Sequence, residues 1–220
     1  KKADKMFFLN VYDKQEFIKN KIVAEKKCEL INGIGVDLAK FSYKPIKNHN
    51  HFLMVARMLE TKGVLDYCKC AKIVKQHYPN AIFTYLGTEG TVKVSHIQEY
   101  INDGSILYLG ASTDVRPFIE NSTALILPSY REGCPMSIME AEAMGRAIIT
   151  TDTIGCRDTV LNGYNGFSVL KGDYFEMAKK AIWLIENPEE AEQMGKNSRL
   201  FAEKNYDSDK INKQIYDLIK

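Results

Sequence analysis

Four charged residues have types and spacings that suit the chemistry of phosphates and hydroxyls: Arg57, Lys62, Glu132 and Glu140. The planar fork of the arginine and the point charge of the lysine together suit phosphate oxygens. Fixed cations can stabilise the negative charge that gathers on a diphosphate as its bond to a sugar breaks, without a metal. Arg57 and Lys62 are equally explained as surface residues near the end of a strand, with Glu60 as an ion-pair partner.

The two glutamates, with seven residues between them, suit hydroxyl groups. A carboxylate beside a phosphate would repel it, whereas it accepts hydrogen bonds from the hydroxyls of a sugar or a ribose. Residues 135–138 should begin a helix, whose unpaired N–H groups and dipole form an anion site. Gly133 lets a ligand approach the backbone closely. Ser137 and Glu140 also match a capping box, in which the glutamate only satisfies the start of the helix.

Six short apolar runs must position these residues, and they lie at 52–57, 81–87, 106–110, 124–129, 147–152 and 166–170. Each is nearly continuous in apolar residues, which is typical of parallel strands buried on both faces. Helical patterns connect most of them, at 64–78, 91–102, 114–121, 136–145 and 155–162. This alternation predicts the α/β class, with a doubly wound, parallel six-stranded Rossmann-like sheet and helices on both faces.

The two ends of the chain add further elements. A strand, a helix and a second short strand are predicted at 6–11, 13–20 and 28–31. Three C-terminal helices are predicted at 174–186, 189–204 and 209–219.

The order of the strands decides whether the four charged residues meet. In a doubly wound sheet of order 3-2-1-4-5-6, ligands bind where the order reverses, at the carboxyl ends of strands 1 and 4. Strand 1 ends at Arg57 and strand 4 ends at Ser129. The sequence therefore predicts one crevice, with Arg57 and Lys62 on one side and Glu132 and Glu140 on the other.

The amino-acid composition of the chain argues against several classes of function, namely nucleic-acid binding, membrane spanning and zinc binding. The chain has 220 residues, a formal charge of +2 and 45% hydrophobic residues, so it is predicted to be globular and offers no concentrated charge for a nucleic-acid partner. No apolar run reaches the roughly 20 residues that span a bilayer. The cysteines and histidines are not spaced as zinc ligands. The odd number of cysteines suits reduced thiols in the cytoplasm, and Cys134 is interpreted as a packed thiol and not a nucleophile.

The chain resembles the C-terminal half of the family 4 retaining glycosyltransferases, which have two Rossmann-like domains facing each other across a cleft. The stretches that carry the resemblance are 33–37 (GIGVD), 55–63 (VARMLETKG), 108–110 (YLG), 114–117 (DVRP), 127–135 (LPSYREGCP), 139–145 (MEAEAMG) and 148–158. Glu132 and Glu140 match the paired glutamates of the family, and Arg57 and Lys62 match its basic pair.

The resemblance implies a role for each of these four residues. Arg57 and Lys62 bind the donor diphosphate and, with Glu132, belong to the catalytic group. Glu132 contacts hydroxyls of the transferred sugar, and Glu140 holds the ribose, a role compatible with capping the helix.

Further donor contacts follow from the same resemblance. Residues 111–116 seat the base, with Asp114 and Arg116 as candidates. The backbone of Gly133, Cys134, Pro135 and Met136 lies beside the sugar, and Ser137 and Ile138 offer their amides to the phosphates. The family usually has Gly at the position of Ala56 and often Phe or Thr at that of Cys134, which leaves the identity of the sugar open.

The organisation and partners of a longer protein are also implied. Residues 1–31 are expected to be a remnant of an N-terminal acceptor domain, 32–50 a linker, 51–205 the nucleotide-sugar-binding domain and 206–220 a helix returning toward the missing N-terminal domain. The run 127–133 (LPSYREG) is typical of bacterial enzymes that build capsular or lipid-linked surface polysaccharides. These enzymes suggest a UDP-hexose or UDP-N-acetylhexosamine donor, and a lipid-linked or saccharide acceptor, in a cytoplasmic protein with peripheral contact at the inner face of the cell membrane. No metal or other cofactor is expected.

Three other functions are compatible with parts of the sequence. A nucleotide-sugar 2-epimerase shares the architecture but would need acid–base residues around the sugar, which the segment 132–140 does not offer beyond its paired glutamates. A dinucleotide-binding module is disfavoured because Gly33 and Gly35 lack a third glycine and precede no predicted helix. A non-catalytic sensor of nucleotide sugars stays open.

Overall fold

The computed structural model of the chain describes residues 4–220, which begin with a small strand–helix–strand unit. Strands β1 (Met6–Phe8) and β2 (Cys28–Leu30) pair in parallel, and helix α1 (Val11–Lys19) connects them. The side chain of Asn10 caps α1 by accepting a hydrogen bond from the Asp13 N–H at 2.8 Å. All three elements were predicted, with longer strands. Residues 1–3, the start of the expected 1–31 remnant, lie outside the described residues.

Six further strands form one parallel sheet: β3 (His51–Val55), β4 (Ile82–Leu86), β5 (Leu107–Tyr108), β6 (Ala124–Leu127), β7 (Ala147–Thr151) and β8 (Gly166–Val169). Their spatial order is β5-β4-β3-β6-β7-β8, which confirms the predicted doubly wound topology. Every residue of β6 and β7 is buried, because these strands lie inside the sheet with helices above and below.

Seven helices accompany this sheet: α2 (Val64–His77), α3 (Val94–Asn102), α4 (Arg116–Glu120), α5 (Met136–Ala143), α6 (Tyr174–Glu186), α7 (Pro188–Asn205) and α8 (Ser208–Ile219). Helix α2 packs on α3 and α6, whereas α5 packs on α7. From β3 the chain builds outward in both directions, so right-handed crossovers place the connecting helices on opposite faces. Within residues 4–220, every helix is too short or too polar to cross a bilayer.

One predicted helix is wrong. The segment 155–162 contains only a short 3-10 turn, Arg157–Thr159, and then extended backbone at Val160. Gly155, the first residue of this segment, has φ 80°, a left-handed conformation outside the helical region. A Cβ at Gly155 would overlap the carbonyl oxygen of Glu132. The segment is therefore shaped by its packing against the loop that follows β6.

A buried arginine attaches the 32–50 segment to the sheet domain. The Arg146 guanidinium is fully buried and donates hydrogen bonds to the carbonyls of Glu120 (3.2 Å), Ser122 (2.9 Å), Met144 (3.0 Å) and Lys44. Burial lowers the pKa of Arg146 to about 10, so the group remains charged near neutral pH. The four carbonyls come from three separate parts of the chain, which a single side chain thus holds together.

Candidate functional site

A cavity of about 420 Å³ opens at the carboxyl ends of β3 and β6, where the order of the strands reverses. This volume lies within the range of about 300 to 1,000 Å³ that is usual for small-molecule sites. Its lining residues are Val55, Ala56, Arg57, Lys62, Leu127, Glu132, Cys134, Pro135, Met136, Ser137 and Glu140. The structure thus brings the four charged residues together around one cavity.

The loop after β3 reaches across to the loop after β6. Lys62 ends a 3-10 turn, and Gly63 follows with φ 68°. A Cβ at Gly63 would overlap the carbonyl oxygen of Pro128, so only glycine allows this approach. The Tyr130 N–H donates to the Thr61 carbonyl at 2.7 Å and joins the same two loops. These contacts place the Lys62 side chain beside the carboxylate of Glu132.

Lys62 and Glu132 form an ion pair across the crevice. The Glu132 side chain is only 10% exposed, and its backbone N–H donates to the Ile154 carbonyl at 2.9 Å. The carboxylate is therefore held next to a cation by contacts on two sides. An anionic ligand at this site would have to share Lys62 with Glu132.

Arg57 is the second cation at the cavity. Its side chain is exposed and forms no ion pair within residues 4–220, so the alternative pairing with Glu60 is wrong. An exposed guanidinium without a partner can form a bidentate contact with an incoming phosphate.

Helix α5 presents its first N–H groups to the same cavity. Pro135 is the N-cap residue, and the N–H groups of Met136 and Ser137 have no acceptor among the described residues. The first turn of a helix carries a partial positive charge, so these groups suit an anion. The N–H of Ile138 donates to the Pro135 carbonyl at 3.1 Å and its side chain is buried, so the structure does not bring Ile138 to the cavity.

The capping-box interpretation of Glu140 is wrong. Ser137 lies inside α5 and is not its N-cap, and no side chain caps the start of the helix. The half-buried Glu140 carboxyl forms no hydrogen bond within the described part of the chain. Burial raises the pKa of Glu140 to about 7, while the nearby Lys40 acts in the opposite direction. The carboxyl is therefore free to contact a ligand.

Gly133 and Cys134 lie between this cavity and a smaller one of about 110 Å³. Gly133 lines only the smaller cavity, together with Leu9 and Asn32 of the N-terminal region, whereas Cys134 lines both. Burial raises the pKa of the Cys134 thiol to about 12, so the thiol is protonated at neutral pH. Its sulfur lies 3.8 Å from that of Met139. Both observations favour a packed thiol over a nucleophile.

Asp114 and Arg116 lie at a separate cavity of about 410 Å³, beside Lys40 and Lys44. Their side chains form a bidentate ion pair, with both N–O distances at 2.8 Å. The structure therefore does not bring them to the cavity of Glu132 and Glu140.

Two residues near the site were missed by the sequence analysis. Lys40 lines the cavity of Asp114 and Arg116, and its positive charge opposes the rise in the pKa of Glu140 that burial causes. Asn10 donates a hydrogen bond to the Gly133 carbonyl at 3.2 Å. Neither belongs to a recognisable motif, because Lys40 lies in a polar linker and Asn10 lies far from the loop in sequence.

Among residues 4–220, no three His, Cys, Asp or Glu side chains are grouped as a metal site. The charges that face the large cavity are instead two cations, two carboxyl groups and the start of a helix.

Fold and cavity together define a Rossmann-like class of domain, with a cavity at the topological switch point, where ligands bind in such sheets. Residues 36–201 match the family model of the glycosyl transferases group 1, and the chain belongs to this family. The family resemblance of the sequence is thereby confirmed. A match to a transferase family does not support the epimerase alternative.

Relatives of the chain carry names that agree with this assignment. The chain is 31% identical over 212 residues to N,N'-diacetylbacillosaminyl-diphospho-undecaprenol alpha-1,3-N-acetylgalactosaminyltransferase of Campylobacter jejuni, covering 89% of this chain and 55% of that protein. It is 26% identical over 211 residues to the capsular polysaccharide biosynthesis glycosyltransferase CapM of Staphylococcus aureus, covering 89% and 56%. The chain thus spans about half the length of these relatives.

A solved structure shows the same fold. Anabaena Alr3699/HepE in complex with UDP has a TM-score of 0.87 at 18% identity, over 99% of this chain and 64% of that one.

Proposed function

We propose that the chain is the donor-binding half of a retaining glycosyltransferase that takes a hexose or N-acetylhexosamine from a UDP-sugar. The observation that carries this proposal is the grouping of Arg57, Lys62, Glu132 and Glu140 around one cavity at the switch point of a group 1 domain. The UDP complex of a structure with the same fold supports the choice of nucleotide. The names of two relatives support a lipid-linked or polysaccharide acceptor.

In the proposed reaction, Arg57 and Lys62 bind the diphosphate of the donor. The bond between the anomeric carbon and the phosphate oxygen breaks, and its electron pair stays on the diphosphate. The two cations and the free N–H groups of Met136 and Ser137 stabilise this charge without a metal. The departing phosphate oxygen accepts the proton of the acceptor hydroxyl, which attacks from the same face and so retains the configuration.

The carboxyl groups hold the neutral parts of the donor. Glu132 accepts hydrogen bonds from hydroxyls of the transferred sugar, and Glu140 accepts them from the ribose. The base lies along residues 111–116. Because the side chains of Asp114 and Arg116 are committed to each other, they shape this loop while the backbone contacts the base.

The acceptor is bound by a partner domain that precedes this one. Strands β1 and β2 pair only with each other among the described residues, so their outer edges have backbone groups available to further strands. The complete enzyme works in the cytoplasm and meets a lipid-linked acceptor at the inner face of the cell membrane.

Isothermal titration calorimetry of this chain with UDP and UDP-sugars tests the proposal. We expect binding that persists in EDTA and that falls by about a hundredfold in Arg57→Ala/Lys62→Ala, as the loss of two charged contacts implies. Lys196→Ala/Lys213→Ala removes two exposed lysines elsewhere and is the matched control. Unchanged affinity in the first double variant, or strict dependence on a divalent metal, would refute the cationic pair.

A transfer assay of the chain joined to its preceding domain tests the reaction itself. We expect UDP-sugar-dependent elongation of a lipid-diphosphate-linked saccharide. Interconversion of free UDP-sugars without an acceptor would contradict the transferase.

A further inference from the structure

The N-terminal unit contacts the loop that carries Glu132. Asn10, which follows β1, is only 4% exposed, and its side chain forms three hydrogen bonds. Its Oδ1 accepts from the Asp13 N–H at 2.8 Å, which caps α1. Its Nδ2 donates to the Asp13 carboxylate at 2.8 Å and to the Gly133 carbonyl at 3.2 Å. Because the cap requires the oxygen of Asn10 to face Asp13, the amide nitrogen is left to face Gly133.

This contact fixes the orientation of one peptide group beside the cavity. The Gly133 carbonyl and the Cys134 N–H belong to the same peptide unit, and no cis peptide bond occurs among the described residues. In a trans peptide the carbonyl and the N–H point in opposite directions. A carbonyl held toward Asn10 therefore turns the Cys134 N–H away from Asn10. That N–H has no acceptor within residues 4–220.

Two further contacts bracket the same loop. Arg131 forms an ion pair with Asp13, and Arg157 donates to the Tyr12 hydroxyl at 2.8 Å. The guanidinium of Arg157 also lies 5.4 Å from the centre of the Tyr12 ring. Exposed pairs of this kind contribute little energy individually. Buried Asn10 is therefore the residue whose loss should matter most.

We propose that Asn10 is a positioning residue for the donor sugar, because it holds the Gly133–Cys134 peptide so that the Cys134 N–H is presented to the ligand beside Glu132. This inference rests on the proposed function and deepens it. It makes the N-terminal unit part of donor recognition, since a side chain from that unit sets the shape of the loop that contacts the sugar.

Asn10→Ser separates the two tasks of Asn10. Serine accepts the capping hydrogen bond as asparagine does, but it lacks the amide nitrogen that donates to the Gly133 carbonyl. Asp173→Ala is the matched control, because Asp173 caps α6 by accepting from the third N–H of that helix, as Asn10 does in α1, and lies outside the donor cavity. The probes are UDP and the strongest binder among UDP-glucose, UDP-galactose and their N-acetylamino counterparts.

We expect Asn10→Ser to weaken the chosen UDP-sugar by about tenfold in calorimetry while UDP changes by less than about twofold. Asp173→Ala should leave both affinities unchanged. If the Asn10→Ser variant keeps the preference of the unaltered chain for UDP-sugar over UDP, this inference is overturned and the proposed function is not. Failure of the unaltered chain to bind any of the probes overturns the proposed function, and this inference with it.

A second measurement does not depend on the variant. In a ¹⁵N–¹H spectrum of the unaltered chain, the Cys134 amide should shift on addition of the UDP-sugar and shift much less with UDP. An amide that responds equally to both ligands, or to neither, contradicts the proposed contact with the sugar.

Discussion

Lys62 and Glu132, which are 70 positions apart in the chain, form an ion pair across the mouth of the crevice. The pair balances the charge of a side chain that is only 10% exposed before any ligand arrives. In the proposed donor complex, a diphosphate that contacts Lys62 weakens this pair and so frees the carboxylate of Glu132 to accept hydrogen bonds from sugar hydroxyls. The proposal therefore couples recognition of the diphosphate to recognition of the sugar.

Replacing either partner should affect UDP and UDP-sugar differently. Lys62→Met removes a charged contact to phosphate, so both affinities should fall by about tenfold to a hundredfold. Glu132→Gln releases Lys62, so UDP affinity should stay the same or rise while UDP-sugar affinity falls. Calorimetry of the two variants with the two ligands distinguishes these patterns. An equal loss of both ligands in Glu132→Gln would show that Glu132 does not contact the sugar.

The raised pKa of Glu140 predicts that donor binding depends on pH. A carboxylate accepts hydrogen bonds from ribose, so affinity should increase as the pH rises through about 7. The probe should be a UDP-sugar, because its diphosphate diester has no ionisation near neutral pH, whereas the terminal phosphate of UDP does. Glu140→Gln should give a flat profile. A pH dependence that persists in Glu140→Gln would assign the effect to another group.

The same pKa has a consequence for stability. The folded-state pKa of Glu140 lies above its ordinary value, so its contribution to stability is present below that ordinary value and is lost as the pH rises through about 7. Glu140→Gln should therefore raise the free energy of unfolding at mildly alkaline pH and have little effect at acid pH. Urea denaturation at the two pH values measures the difference. A variant less stable than the unaltered chain at alkaline pH would contradict the desolvation argument.

Gly155 should support the position of the Glu132 loop. Gly155→Ala places a Cβ against the Glu132 carbonyl, and Gly163→Ala has the same φ of 80° with no neighbour within 4 Å. Both variants lose about 1 kcal/mol to the left-handed backbone. Only Gly155→Ala should lose further stability and UDP-sugar affinity. Equal behaviour of the two alanine variants, in urea denaturation and calorimetry, would show that the loop tolerates the shift.

The central sheet and the meeting of the four charged residues could be predicted because both follow from local patterns. The apolar runs give six buried strands, and the order of a doubly wound sheet then brings the loops after Arg57 and Ser129 together. One failure depended on a contact between distant segments, because the segment 155–162 packs with Gly155 against the Glu132 carbonyl of another loop and forms no α-helix. The capping box failed locally, because α5 begins at Met136 and Ser137 therefore lies inside the helix.

Two residues could not be predicted from the sequence because they act through contacts with distant segments. Lys40 and Asn10 carry no periodicity or motif that relates them to the cavity. Only the folded chain shows that Lys40 lines the cavity of Asp114 with its charge acting on Glu140, and that Asn10 donates to the Gly133 carbonyl.

Arg146 should stabilise the fold without affecting donor binding. Arg146→Met leaves the carbonyls of Lys44, Glu120, Ser122 and Met144 without their shared donor. Buried acceptors that lose a donor are costly, so we expect a loss of about 3 kcal/mol or more in the free energy of unfolding. Lys213→Met, at an exposed position, is the control and should change stability by less than about 0.5 kcal/mol. Urea denaturation measures both variants.

Measuring UDP binding distinguishes a structural role of Arg146 from a role in the donor site. Where Arg146→Met remains folded, its UDP affinity should equal that of the unaltered chain, because Arg146 lines none of the donor cavity. Arg146→Lys should recover only part of the stability, since one ammonium group cannot reach carbonyls that a guanidinium spans. Full stability of the methionine variant would mean that other donors satisfy these carbonyls. The attachment of the 32–50 segment would then depend on its remaining contacts, such as the Lys44 N–H donating to the Met144 carbonyl at 3.2 Å.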